Sequence, residues 1–134
     1  MKTLTTRYLG SLRTENTHTR SGSLVITDAP VDNQGKGEAF SPTDLVCTSL
    51  SSCMITTMGI LAEREHIDLT GLQTDVVKIM SAAPRKIQEI QITLSHPTLE
   101  ATEIQKQKLR NAALTCPVAL SLHDSVKQTV NFNF

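Results

Sequence analysis

The longest patterned stretch of the chain lies in its middle. Leu50, Cys53, Met54, Thr57 and Leu61 recur three and four residues apart, the spacing of one helix face. Ser41-Pro42-Thr43-Asp44 is its start signal, with Ser41 as N-cap, Pro42 in the first turn and Asp44 near the positive end of the helix dipole. Charge returns near Glu65, and a turn at Gly71 follows, so the helix is expected to run to about Glu65. Upstream, Thr3–Leu9 and Leu24–Thr27 are rich in residues that favour strands. They are punctuated by a turn at Ser21-Gly22 and by a loop over 31–39 with two glycines. Downstream, Gln73–Met80 and Ile87–Ser95 read as strands joined through Ala83-Pro84. Ile87, Ile90, Ile92 and Leu94 alternate with one slip, which predicts a bulge. Ala101–Leu114 has helical composition, a short helix restarts at Cys116-Pro117 through about His123, and Val126–Phe134 closes as a strand. The order predicts an α+β domain with antiparallel sheet.

Composition narrows the function classes. With 134 residues the expectation is a single domain spanning 1–134. Thirteen basic residues balance thirteen acidic ones, which argues against the basic stripe of a nucleic-acid binder. The aromatic residues are Tyr8, Phe40, Phe132 and Phe134, so aliphatic side chains and methionines, Met54, Met58 and Met80 among them, must build the core. A small chain with so little aromatic area gains by pairing with a copy of itself. Leu45–Ala62 carries no charge over 18 residues, yet its serines and threonines suit a helix buried in protein better than one in lipid. Three cysteines are too few for a disulfide framework, and no signal peptide is evident. A reducing cytoplasm is the expected compartment.

Two cysteines could carry chemistry. Cys116 precedes Pro117, which keeps it out of helical conformation and places it at the N-cap of the next helix. Free N–H groups there would stabilise a thiolate and depress the thiol pKa. Cys53 is mid-helix, and its activation needs a cation brought from elsewhere, arginine being the usual choice. Cys47 lies about 240° round the same helix and reads as a core residue. His18, His66, His96 and His123 show no metal-ligand spacing, so no metal is expected.

Phe40-Ser41-Pro42-Thr43-Asp44-Leu45, Leu50-Ser51-Ser52-Cys53 and, 63 positions beyond Cys53, Cys116-Pro117-Val118 resemble the motifs of the OsmC/Ohr family (osmotically inducible protein C and organic hydroperoxide resistance proteins). The resemblance covers nearly the whole chain, including Tyr8-Leu9-Gly10 and Asp28-Ala29-Pro30. It implies antiparallel sheets around a long central helix in an intertwined homodimer. It further implies a thiol peroxidase of oxidative-stress defence: Cys53 is the peroxidatic thiolate towards an organic hydroperoxide, and Cys116 resolves its sulfenic acid as a disulfide. A dithiol, of lipoyl type in the best-known branch, then reduces that disulfide, and no bound cofactor is needed. The peroxidase branch pairs an arginine with a glutamate ten residues before the reactive cysteine. Here Thr43 stands at that position with Asp44 beside it, while Arg13 is placed most like the arginine and Arg20 is the alternative. This acid arrangement is more like the general OsmC-like branch. A non-catalytic dimer serving as redox sensor or small-molecule binder is the competing reading, and a purely structural dimer with inert thiols is the third.

Overall fold

The computed structural model describes all residues, Met1–Phe134, and they form two compact units, Met1–Val46 and Cys47–Phe134.

The first unit is an antiparallel meander of β1 (Leu4–Gly10), β2 (Arg13–His18) and β3 (Leu24–Asp28) in that order. The β1–β2 connection uses positive φ at Gly10 (86°), Ser11 (53°) and Leu12 (61°), a left-handed run that suits a tight hairpin. The Tyr8 hydroxyl accepts the Leu12 N–H at 3.2 Å. β2, sequence RTENTH, has no apolar residue, so hydrophobic periodicity could not announce it; its pairing with both neighbours makes it a strand. After β3 the chain turns tightly. A Cβ on Gly35 would lie 1.6 Å from the Ala29 carbonyl oxygen, so only glycine fits there. No hydrophobic side chain of this unit is buried; the buried residues are Thr27, Asp28 and Ser41.

The long helix α1 spans Pro42–Arg64, as the start signal predicts. Ser41 and Asp44 close a reciprocal capping box: the Asp44 N–H donates to Ser41 Oγ at 3.1 Å, and the Ser41 N–H donates to Asp44 Oδ2 at 3.0 Å. By length and composition α1 is apolar enough to cross a membrane. Its residues Leu50, Met54, Met58 and Ala62 instead form a stripe in the protein core.

The second unit completes its sheet with β4 (Gln73–Ala82), β5 (Arg85–Ser95) and β6 (Lys127–Asn133), and adds α2 (Glu103–Leu114) and α3 (Pro117–Ser121). β4 and β5 form the expected hairpin through a cis Ala83–Pro84 bond. The expected slip is there. Ile79 pairs with Glu89 and Met80 with Ile87, so Gln88 is the extra residue and both Ile87 and Ile90 reach the core. One expectation is corrected: β6 runs parallel to β5, so this sheet is mixed. Helices α2 and α3 intervene between the two strands, and a crossover of that length returns the chain in the same direction. Ile90, Ile92 and Leu94 of β5, with Leu109 and Ala113 of α2, are fully buried and make an aliphatic core. Met54 and Met58 belong to it, whereas Met80 is only half-buried.

Candidate functional site

Cys53 and Cys116 come together in the second unit. Cys116 is the N-cap of α3, with extended backbone (φ −67°, ψ 153°) and Pro117 following. The Ala119 N–H donates to its sulfur at 3.4 Å. Cys116 is completely buried, Cys53 is half-buried, and both are reduced. The two side chains are near enough for Cys53 to act on the Cys116 thiol.

The expectation of a depressed Cys116 pKa is corrected. Burial pushes the thiol up, outweighing the N–H of Ala119, and the neighbouring Cys53 pushes it further in the same direction. The capping geometry is as the sequence indicates, but water exclusion dominates the electrostatics. A protonated Cys116 thiol beside Cys53 is the result. Such a pair divides labour: one sulfur is reachable from solvent, and the other stays protonated until it is needed. Thr57, one turn along α1, donates from Oγ1 to the Cys53 carbonyl at 2.8 Å. Cys47 is buried and, as expected, lies on another face of α1.

In the first unit Arg13 opens β2 directly opposite Asp28 at the end of β3. The guanidinium is bidentate on the carboxylate, Nε to Oδ1 at 2.7 Å and the terminal nitrogen to Oδ2 at 2.8 Å. The Glu38 N–H also donates to Asp28 Oδ2 at 3.1 Å, and the Glu38 carboxylate stands 3.7 Å from Arg13. Asp28 is buried, and the Arg13 hydrogen bonds hold its carboxyl below the usual carboxylate range despite desolvation. The same bonds raise Arg13, which is permanently cationic. Arg13 is therefore an anchored charge rather than a solvated loop arginine. Arg20 lies in the exposed turn between β2 and β3. Asp44 has its carboxylate in the capping box described above.

Asp28 is the residue that sequence reasoning missed. Its role depends on β2, and without β2 nothing marks position 28 as the partner of position 13. The one usable signal was a lone acid at the end of a strand-like run, before Ala29-Pro30.

A family model described as OsmC-like protein matches residues 35–131. Among solved structures, the chain is similar to a proposed osmotic stress induced and detoxification response protein from Psychrobacter arcticus 273-4. Identity is 47%, with 99% of this chain and 96% of that chain covered and a TM-score of 0.94. An OsmC-like protein from Mycoplasma pneumoniae is similar at 17% identity and a TM-score of 0.79, with 97% and 94% covered. An organic hydroperoxide resistance protein OsmC from Legionella pneumophila is similar at 15% identity and a TM-score of 0.75, with 100% and 98% covered. No curated protein sequence matches the chain.

Proposed function

The chain belongs to the OsmC family, and from that premise we propose that it is a cysteine-based peroxidase that reduces organic hydroperoxides. One observation carries this reading: a half-buried Cys53 beside a buried Cys116 that is held as a thiol. The Cys53 thiolate attacks the terminal peroxide oxygen. The O–O bond breaks, the alkoxide leaves and takes a proton as alcohol, and Cys53 becomes a sulfenic acid. Cys116, ionising as it attacks, displaces hydroxide from that sulfur; its proton leaves with the hydroxide as water, and a disulfide forms. An external dithiol, of lipoyl type, returns both sulfurs to thiols by becoming a disulfide itself. Arg13, held by Asp28, is the cation assigned to activation of Cys53, and Asp44 a supporting acid.

The family match spans 35–131 and so crosses the boundary between the two units, which supports reading 1–134 as one OsmC-like domain. A homodimer is part of the proposal. Leu4, Tyr8, Leu24, Val25 and Phe40 of the first unit are all exposed, and that unit buries no hydrophobic side chain of its own. The stress-related names of the Psychrobacter and Legionella proteins agree with this role, and cytoplasmic residence suits a site kept reduced between turnovers.

The test is titration of reduced protein with cumene hydroperoxide and, separately, hydrogen peroxide, followed by intact mass and peptide mapping. Rapid loss of two hydrogens at a Cys53–Cys116 bridge, faster with the organic peroxide and absent in Cys53→Ser, is the expected result. Thiols that stay reduced under excess peroxide would overturn it. A second reading, a redox sensor, is favoured by the engagement of Asp44 in the capping box and of Arg13 on Asp28. Oxidation once per chain without turnover, in the presence of a dithiol, is its signature.

A further inference from the structure

Strand β6 carries one polar side chain on the apolar face of its sheet. Gln128, Val130 and Phe132 stand in register with Ile90, Ile92 and Leu94 of β5, which are fully buried, and so share their face. Val130 and Phe132 suit that face. An amide does not, because its polar groups need partners wherever water is excluded. Gln128 finds one in α3: its Nε2 donates to the Ala119 carbonyl oxygen at 3.0 Å.

Ala119 is therefore bonded on both sides. Its N–H donates to Cys116 Sγ at 3.4 Å, and its carbonyl accepts from Gln128. Helix α3 has five residues, too few to hold their conformation unaided in water. Inside and around it, the Leu120 N–H reaches the Cys116 carbonyl at 3.1 Å and the Leu122 N–H the Val118 carbonyl at 3.2 Å. The Ala119 carbonyl belongs to the last acceptors of the helix, which have no partner within it. The bond from β6 thus fixes the very residue whose N–H touches the sulfur. Burial pushes the Cys116 thiol up, and that N–H is the foremost of the groups that draw it back.

We infer that Gln128 is a positioning residue for closure of the Cys53–Cys116 pair: by fixing Ala119 it keeps an N–H on the Cys116 sulfur while that sulfur gives up its proton and attacks. In this step the S–S bond forms and the S–O bond of the Cys53 sulfenic acid breaks. The Cys116 proton leaves with the hydroxide as water. Negative charge develops on the Cys116 sulfur on the way, and a hydrogen bond to a charged acceptor is the stronger kind. The earlier attack of Cys53 on peroxide makes no use of Ala119, so Gln128 acts on the second step alone. The closure step rests on the peroxidase reading, whereas the hold on the Cys116 thiol does not.

Two measurements on Gln128→Met, which keeps the length of the side chain and loses the donor, test the two parts. First, carbon NMR of reduced, cysteine-labelled protein follows the Cβ shift of each thiol against pH. Proton affinity at Cys116 should rise about fivefold, the worth of one hydrogen bond. Second, rapid mixing with cumene hydroperoxide in the presence of dimedone counts Cys53 sulfenic acid and disulfide by intact mass. Sulfenic acid should form at the parent rate, the disulfide should close about fivefold more slowly, and more Cys53 should be trapped. Val130→Ala, on the same face of β6 with a side chain that makes no hydrogen bond, should lower the melting temperature and move neither readout. If Gln128→Met does not fold, Gln128→Asn, one methylene shorter, is read in its place with the same expectation. A Gln128 that is merely structural would change the melting temperature alone, and that result overturns the inference. Slower closure with an unmoved Cys116 titration overturns it too, because the Ala119 N–H is then not the link. A raised Cys116 titration, with no disulfide formed by variant or parent under peroxide, leaves the hold on the thiol standing and refutes the peroxidase.

Discussion

Closing the Cys53–Cys116 pair should stabilise the chain by an amount its separation sets. The two residues are 63 positions apart, so a bridge removes a long loop's freedom from the unfolded ensemble. The chain-entropy relation gives about 14 cal/mol/K, or about 4 kcal/mol at 25 °C. The folded state subtracts little, because the two side chains are already neighbours and Cys116 is held at its N-cap position by Pro117 and by the Ala119 N–H. A net gain of about 3 kcal/mol is expected, and for a chain of this size that is a rise on the order of 10 °C in Tm. The assay compares calorimetric melts of peroxide-oxidised and dithiol-reduced protein at one fixed concentration, since association would shift both. Cys53→Ser should abolish the difference between oxidising and reducing conditions. A gain below about 1 kcal/mol, or a loss, would mean that the bridge forms only by distorting α1 or α3, and the resolving assignment would fall with it.

Alkylation should follow burial. Iodoacetamide at neutral pH is expected to label Cys53 first, with Cys116 labelled only above the ordinary thiol range of about 8.5 or after unfolding; peptide mapping that finds Cys116 modified first refutes this. Folding lowers the Asp28 pKa, so the unfolded chain takes up that proton first as pH falls. The pair's contribution is therefore intact above about 3.8 and fades below it. Asp28→Asn should flatten that acid limb in pH-dependent melts; an unchanged limb would remove Asp28 from the account. Ile90→Ala, at a fully buried position in β5, should cost about 2–5 kcal/mol in urea unfolding. Thr102→Ala should cost about 1 kcal/mol, since the Thr102 side chain caps α2 in a reciprocal box with Gln105.

What could be read from sequence was whatever leaves a local mark. The Ser41-Pro42-Thr43-Asp44 start fixes α1 because capping is a matter of four residues, and the displaced isoleucine spacing in β5 records its bulge directly. β2 left no such mark. Its six residues are polar, and its partners are three to fifteen residues away in sequence. The Arg13–Asp28 pair was lost along with it. The parallel placement of β6 depends on how a two-helix crossover returns, which no window of the chain encodes. Cys116 was legible as a cap but not as a buried thiol, because a cap is local whereas burial depends on residues distant in sequence.

The distribution of aromatic residues has a spectroscopic consequence. Tyr8 is the only tyrosine and there is no tryptophan, so intrinsic emission comes from a single ring on β1, 66% exposed, whose hydroxyl accepts the Leu12 N–H. The helical far-ultraviolet signal arises almost wholly from the other unit, which holds α2, α3 and most of α1. One unlabelled sample therefore carries two independent reporters, each bound to its own part of the chain. Superimposed melting curves would describe a single cooperative transition; separated ones would give each unit its own stability, with no label, truncation or substitution required.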